Sequence, residues 1–420
     1  MTTLPVAVAV VGAGQAGLAV SRLLSEAAVD HVVLERGSTA ERWRSLPWES
    51  LRLLTPNWMS RLPGWGYIGD DPSGFMPARE VAGYLSAYAA ASAAPVVEQA
   101  TVESVRPFRD GYRVDTPAGT WTARSVVVAT GWSDTPFVPA AAQLLDAGVV
   151  QQTAGNFRNA AGLPDGGVLV VGASASGVQL ADEIAATGRP VLLSVGSHSR
   201  LPRRYRGMDI MWWLDAMGLL QRRVRVHVAP GPAEPSVQLV GRPDGRDVDL
   251  PSLQRRGVTL VGRLTAAEGG RMRFADDLPA TTTTADDRLA DLLARIDVYA
   301  RAVGLEDEIL PRPPAPPTIR PDDAPTELRV GGGGIRSVVW ATGYRRSYPW
   351  LHVPVLDGAG EIRHVHGTTT APGLHVVGMH RQTRRNSTFL DGVRHDAAAV
   401  VGRVLDELGT TSSTALRSAA

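Results

Sequence analysis

Two stretches decide the fold: Val8-Ala9-Val10-Val11-Gly12-Ala13-Gly14-Gln15-Ala16-Gly17, and Val168-Leu169-Val170-Val171-Gly172-Ala173-Ser174-Ala175-Ser176-Gly177. Each begins as an uninterrupted apolar run. A strand with one wet face would alternate, so these read as strands buried on both faces, the habit of parallel sheets. Each run ends in a small-residue turn and continues into a helical pattern, Leu18 to Ala28 in the first and Val178 to Ala186 in the second. His31 to Glu35 and Pro190 to Val195 read as the strands that follow. Two βαβ units result, and the expected class is α/β with two dinucleotide-binding, Rossmann-like domains.

The turn residues say what such units hold. In the first, Gly12 permits the tight bend, Gly14 lets the backbone approach a pyrophosphate, and Gly17 allows the helix to pack closely. Gln15 and Ala16 open the helix whose N-terminus faces the phosphates. Glu35 lies 18 residues beyond Gly17 at a strand end, where a carboxylate accepts both ribose hydroxyls. The second turn has Ser174 in place of the middle glycine, and its strand ends without an acid in Ser194-Val195-Gly196-Ser197-His198-Ser199-Arg200. With Arg203, Arg204 and Arg206 following, this cluster suits a 2′-phosphate, which favours NADPH over NADH. A solvated basic loop is the other reading of the same residues.

The economical arrangement is a first domain interrupted by a second. We expect residues 1–155 and 336–420 to form one domain and 156–335 the other, with a less regular insert at about 231–325. The late strand Ser337-Val338-Val339-Trp340-Ala341-Thr342-Gly343, which repeats the ending Ala129-Thr130-Gly131, is expected to complete the first domain. Two crossings, near Thr130–Thr153 and Ala341–Tyr344, then lie side by side as a hinge. Within the insert, Asp286 to Val303 reads as an amphipathic helix, and the Pro311 to Pro317 run as a connector. Trp212-Trp213 is read as helix core in preference to a pocket wall.

Composition narrows the chemistry. The chain has 420 residues and no cysteine, which excludes structural disulfides, thiolate-bound metal and a dithiol redox relay. It has no lysine either, so a Schiff-base or phosphate-loop lysine is excluded. A net charge of +1 gives no field for nucleic acid or an anionic membrane. The histidines, including His364, His366, His375, His380 and His395, lack the spacing of a metal site, and no metal is expected. No apolar run reaches the roughly 20 residues of a membrane span, and a cytoplasmic location is expected.

Further stretches carry a family resemblance: Glu35-Arg36, Arg42-Trp43, Leu51-Arg52-Leu53-Leu54-Thr55-Pro56, the Ala129-Thr130-Gly131 ending, the second glycine turn, and Trp340-Ala341-Thr342-Gly343-Tyr344-Arg345. In these the chain resembles the class B flavin-dependent monooxygenases, including bacterial flavoproteins associated with potassium transport and plant YUCCA-like enzymes. The resemblance implies FAD on the first turn and NADPH on the second. It further implies Arg42 and Trp43 at the flavin, Val102 at the adenine, Thr130 and Gly131 near the pyrophosphate, and the Asn386 to Gly392 turn, with Leu390, along the isoalloxazine edge. Thr55 and Asn57 are the expected stabilisers of an oxygen adduct.

The implied reaction is hydride transfer from NADPH to FAD, capture of O2 as the flavin C4a-(hydro)peroxide, and insertion of one oxygen atom into a small organic substrate. A homodimer is among the expected assemblies. One departure bears on this: in Gln151-Gln152-Thr153-Ala154-Gly155-Asn156-Phe157-Arg158, the family fingerprint has a histidine where Thr153 stands. That leaves two rivals, a flavin oxidoreductase or oxidase without oxygen insertion, and a nucleotide-sensing accessory protein.

Overall fold

In the computed structural model, which describes residues 3–45, 48–224, 236–319, 323–331 and 334–409, the two apolar runs form central strands of two separate sheets and pair in parallel with their neighbours. The first is Thr3–Val11, paired in parallel with His31–Leu34 on one side and Gly119–Val128 on the other. Leu374–Val376 extends the sheet beyond Gly119–Val128, and Val96–Val97 extends it beyond His31–Leu34. Val8, Val10 and Val127 face the helices Gln15–Glu26, Ala78–Ala91 and Val393–Leu408, while Ala9, Val126 and Val128 face Tyr112, Trp121 and Leu351 on the opposite side. Burial on both faces is why the strands carry no polar alternation; each such valine contributes about 1.5–3 kcal/mol.

The second sheet is wholly parallel, in the order Val150–Thr153, Ile335–Trp340, Gly167–Val171, Val191–Ser194, Thr259–Val261. This corrects the expected boundaries. Ile335–Trp340 pairs with Gly167–Val171, so the late strand completes the second unit, and Val150–Thr153 also belongs there and not to the first. The two units share a plan. In the first, an antiparallel meander, Ser104–Phe108 and Gly111–Thr116, leads into Gly119–Val128 and its Ala-Thr-Gly ending. In the second, Leu264–Glu268, Arg271–Phe274 and Glu327–Arg329 form the meander that leads into Ile335–Trp340 and the second Ala-Thr-Gly.

Most of the supposed insert is therefore this meander with one long helix, Leu278–Ala302, set inside it. Residues 231–235 and 320–322 of the 231–325 range lie outside the described residues. The helix begins well before Asp286 because the run Thr281 to Thr284, poor in intrinsic propensity, satisfies its hydroxyls internally. Thr282, Thr283 and Thr284 Oγ1 donate to the carbonyls four residues earlier at 2.8–2.9 Å. Its face of Leu289, Leu293, Ile296 and Ala300 packs on Ile210, Met211 and fully buried Trp213, in keeping with the core reading of that tryptophan.

The two crossings do lie side by side. Thr135–Pro136 pairs antiparallel with Tyr344–Arg345, Phe137 N–H donates to Gly343 O at 2.8 Å, and Thr342 Oγ1 donates to Phe137 O. Among the described residues no helix is long and apolar enough to cross a membrane, and no group of three or more His, Asp or Glu could hold a metal ion.

Candidate functional site

The carboxyl ends of Thr3–Val11, Gly119–Val128 and Leu374–Val376 lie adjacent in the sheet, and each is followed within three residues by a glycine of positive φ: Gly12, Gly131 and Gly378. A cavity of about 410 Å³ opens there, at the strand ends where open α/β sheets bind ligands. The turn is built by close backbone approach. A Cβ on Gly12 (φ +104°) would lie 2.8 Å from Ala129 O, and one on Gly17 would lie 1.9 Å from Gly12 O. Gly14 instead faces open space, with nothing within 4 Å of a Cβ. Gly14 caps the helix Gln15–Glu26 without any side-chain hydrogen bond, so the first amides remain directed at the cavity.

Glu35 is buried at the cavity wall. Its Oε2 accepts from Ala13 N–H at 2.7 Å and its Oε1 from Gly37 N–H at 3.0 Å. A carboxylate has about four acceptor positions, so both oxygens keep capacity for ribose hydroxyls. Arg36 and Arg42 add positive charge to the wall, tied to the first crossing by Arg42 Nη2 donating to Asp134 O at 2.8 Å and an Arg36–Asp134 ion pair at 3.5 Å. Burial and the neighbouring Arg36 lower the Arg42 pKa. Trp43 Nε1 donates to Gln15 Oε1 at 3.2 Å, and Gln15 Nε2 donates to Thr388 O at 3.4 Å. One chain of contacts thus links the glycine turn, Trp43 and the Asn386 to Gly392 turn.

The structure brings Gly12, Gly14, Gln15, Ala16, Glu35, Arg36, Arg42, Trp43, Val102, Thr130 and Gly131 to this one cavity. Gly17 sits behind the turn, and Leu390 is buried in the first core and off the wall. Thr388, within the expected Asn386 to Gly392 turn, is on the wall, and sequence reasoning missed Trp132, Asp134, Trp350 and Gly378 there. Gly378 had a visible signal, since it follows an apolar strand as Gly131 does. Trp350 had none, being placed only by tertiary packing.

The second turn copies the first. Gly172 has the same φ, +104°, and its Cβ would lie 2.5 Å from Ala341 O; a Cβ on Gly177 would lie 1.8 Å from Gly172 O. Each glycine turn is thus backed by its own Ala-Thr-Gly. Ser174, Ala175 and Ser176 are half-buried at the start of Ala175–Ala185, a helix that Ser174 caps without a side-chain hydrogen bond. These small residues and open amides suit a second pyrophosphate.

The arginine expectation needs correction. Arg200 is 6% exposed, with Nη2 on Asp249 at 2.6 Å and Nη1 on Asp286 at 2.7 Å. Arg203 is 2% exposed, with Nη2 on Asp209 at 2.5 Å and Nη1 donating to Leu54 O at 2.8 Å. Arg206 pairs with Asp297 at 3.4 Å, which leaves Arg204 as the exposed guanidinium of the four. A buried guanidinium must be neutralised where it sits, and these carboxylates, 49 and 86 residues away for Arg200 and six for Arg203, do that.

Thr55 and Asn57 are also placed differently from expectation, off the cavity wall. Asn57 spends its amide on the neighbouring loop, with Nδ2 donating to Asp71 O at 2.9 Å and Oδ1 accepting from Met76 N–H at 2.7 Å. That is a clasp on the neighbouring loop, and it uses one of the two Nδ2 hydrogens. Thr153 ends its strand beside the crossings, and its Oγ1 is 3.1 Å from Asn156 Oδ1 and accepts from Gly155 N–H at 3.2 Å.

Just beyond the Asn386 to Gly392 turn, His395 is 9% exposed with neither ring nitrogen hydrogen-bonded. Burial, then Arg384, Arg394 and Arg61, hold its pKa down to about 4. An unfolded imidazole titrates near 6.5, so the neutral ring's stabilising contribution is complete above that pH. It is lost as pH falls from 6.5 towards 4, roughly 3 kcal/mol in all. Denaturant titrations at pH 7 and pH 4.5 should show His395→Gln losing about 2 kcal/mol less than the parent on acidification. Equal losses would remove His395 from the account.

A family model described as pyridine nucleotide-disulphide oxidoreductase matches residues 9–213, which take in both glycine turns. The chain is 29% identical over 95% of its length, and 98% of the relative's, to an uncharacterized CzcO-like oxidoreductase of Geobacillus kaustophilus. It is 30% identical over 48% of its length, and 49% of the relative's, to a probable indole-3-pyruvate monooxygenase, YUCCA4, of Arabidopsis thaliana. In fold it is similar to a flavin-containing monooxygenase from Stenotrophomonas maltophilia, with TM-score 0.69 and 19% identity, covering 97% of this chain and 100% of that one. In sequence the chain is similar to oxidoreductases, and its fold is α/β with two dinucleotide-type units.

Proposed function

We propose that this chain is an NADPH-dependent FAD monooxygenase that places one atom of O2 in a small organic substrate and releases the other as water. The observation that carries the reading is the pair of glycine turns, each backed by its own Ala-Thr-Gly, in a chain without cysteine. Electrons entering at the second turn have no dithiol to reach, so the route left to them runs through the first turn to O2. FAD, when bound, supplies the two-electron chemistry that accepts hydride and passes the pair on.

This chain's own residues do the holding. The amides at Gln15 and Ala16 meet a pyrophosphate, Glu35 takes the adenosine ribose hydroxyls, and Arg36 and Arg42 offset phosphate charge. Gln15 and Trp43 fix the wall on which the redox ring rests. At the second turn, the open amides of Ala175–Ala185 meet the donor's pyrophosphate, and exposed Arg204 is the cation left for a 2′-phosphate.

Purified protein should be yellow, and NADPH should bleach it without air. With ¹⁸O2 and a panel of amines, sulfides and ketones, one label should appear in product and one in water per NADPH consumed. Hydrogen peroxide in equal amount to NADPH, with every substrate offered, would instead establish the oxidase reading that Thr153 favours.

A further inference from the structure

The cavity of the first unit has two ends. At one, Trp43 donates to Gln15 and Gln15 donates to Thr388 O, on the far side of the amides that meet a pyrophosphate. At the other lies Glu35, the acid for the adenosine ribose, and the chain beyond it is clamped there. Ala100 N–H donates to Glu35 O at 2.8 Å, and Gln99 N–H donates to Gly37 O at 3.0 Å. Ala100, Thr101 and Val102 line the cavity at this end, so a base attached to that ribose meets them.

Trp350 belongs to the same end, although it enters from late in the chain, just after the second crossing. Its carbonyl accepts from Val105 N–H at 2.7 Å, and His352 N–H donates to Val105 O at 2.8 Å, which stitches the segment to the backbone just past Val102. The indole packs against the core that holds Leu34, Ala100 and Val102. The Tyr348 ring, 5% exposed, meets it at 76° with centroids 6.0 Å apart. The surface that remains is partly open and borders the cavity. A purine offers flat faces that stack on an aromatic ring, and an indole already held by its neighbours loses little freedom in meeting one.

We propose that Trp350 packs its indole on the adenine of the dinucleotide bound at the first turn, and so makes this site select FAD over FMN, which lacks the adenylate half. The proposal rests on the reading that this turn holds FAD. Equilibrium binding of FAD and of FMN to the flavin-free full chain tests it. Trp350→Ala should bind FAD about tenfold more weakly than the parent and FMN as the parent does, because the stacked base is the only contact removed. Trp350→Phe, which keeps a ring, should recover most of the FAD affinity. Unchanged FAD affinity in Trp350→Ala, a parallel loss of FMN binding, or a Trp350→Phe no better than Trp350→Ala would each overturn the proposal. If the variants do not fold, the parent alone decides, with 1,N6-etheno-ADP as probe. Stacked on the indole, the probe's emission should be quenched, and it should recover when FAD, and not NADP+, displaces it. Bound probe that FAD displaces without any change in emission would overturn the proposal. A parent that binds neither FAD nor FMN would instead overturn the reading of the first turn itself.

Discussion

Gly17→Ala should destabilise the protein by about 3 kcal/mol or more and leave it colourless on purification, whereas Gly14→Ala should keep the stability of the flavin-free parent and lose only flavin affinity. The same added methyl meets two different situations. At Gly17 it would sit 1.9 Å from Gly12 O, and 3.4 Å from Val10 Cγ1, so the first helix would have to lift off the strand it packs on. Backbone cannot swing aside as the end of a side chain can. At Gly14 the methyl enters open space, and that space belongs to the cavity, so what it displaces is ligand. Ser174 is the natural version of that change, a small side chain at the same position of the repeat. Thermal melts of both flavin-free variants, with flavin content per chain as isolated, separate the two roles. A Gly14→Ala melt depressed as far as that of Gly17→Ala would mean the cavity geometry is wrong.

The repeat also shows what could be read from sequence and what could not. Strand, glycines, helix and Glu35 are local, and they brought Gly12, Gly14, Gln15, Ala16 and Glu35 to one cavity because the βαβ unit converts short-range order into a site. The second Ala-Thr-Gly was legible as a copy of the first. Assigning it to the first domain overlooked that a duplicated unit brings its own backing strand, as the clash distances at Gly12 and Gly172 make plain. The Thr281 to Thr284 start of the long helix was hidden because propensity scores the residue and not the i−4 carbonyl that its hydroxyl finds. Arg200 and Arg203 were hidden for a stronger reason: whether an arginine is a surface cation or a buried cross-link depends on aspartates that lie up to 86 residues away.

That dependence gives Arg200→Met a large expected effect. Removing the guanidinium leaves Asp249 and Asp286, both largely buried, without their shared counter-charge, and Asp249 also caps Leu250–Arg255 through Ser252. Breaking one side of a buried ion network costs about 3–5 kcal/mol, because the remaining charges cannot recover their hydration. Denaturant unfolding should therefore show a loss of that order. Neutralising the aspartates as well, in Arg200→Met/Asp249→Asn/Asp286→Asn, should recover much of it. A phosphate ligand would behave oppositely, with unfolding free energy unchanged and the preference for NADPH over NADH collapsing. Arg200→Met with parental stability and a lost NADPH preference would return Arg200 to the nucleotide.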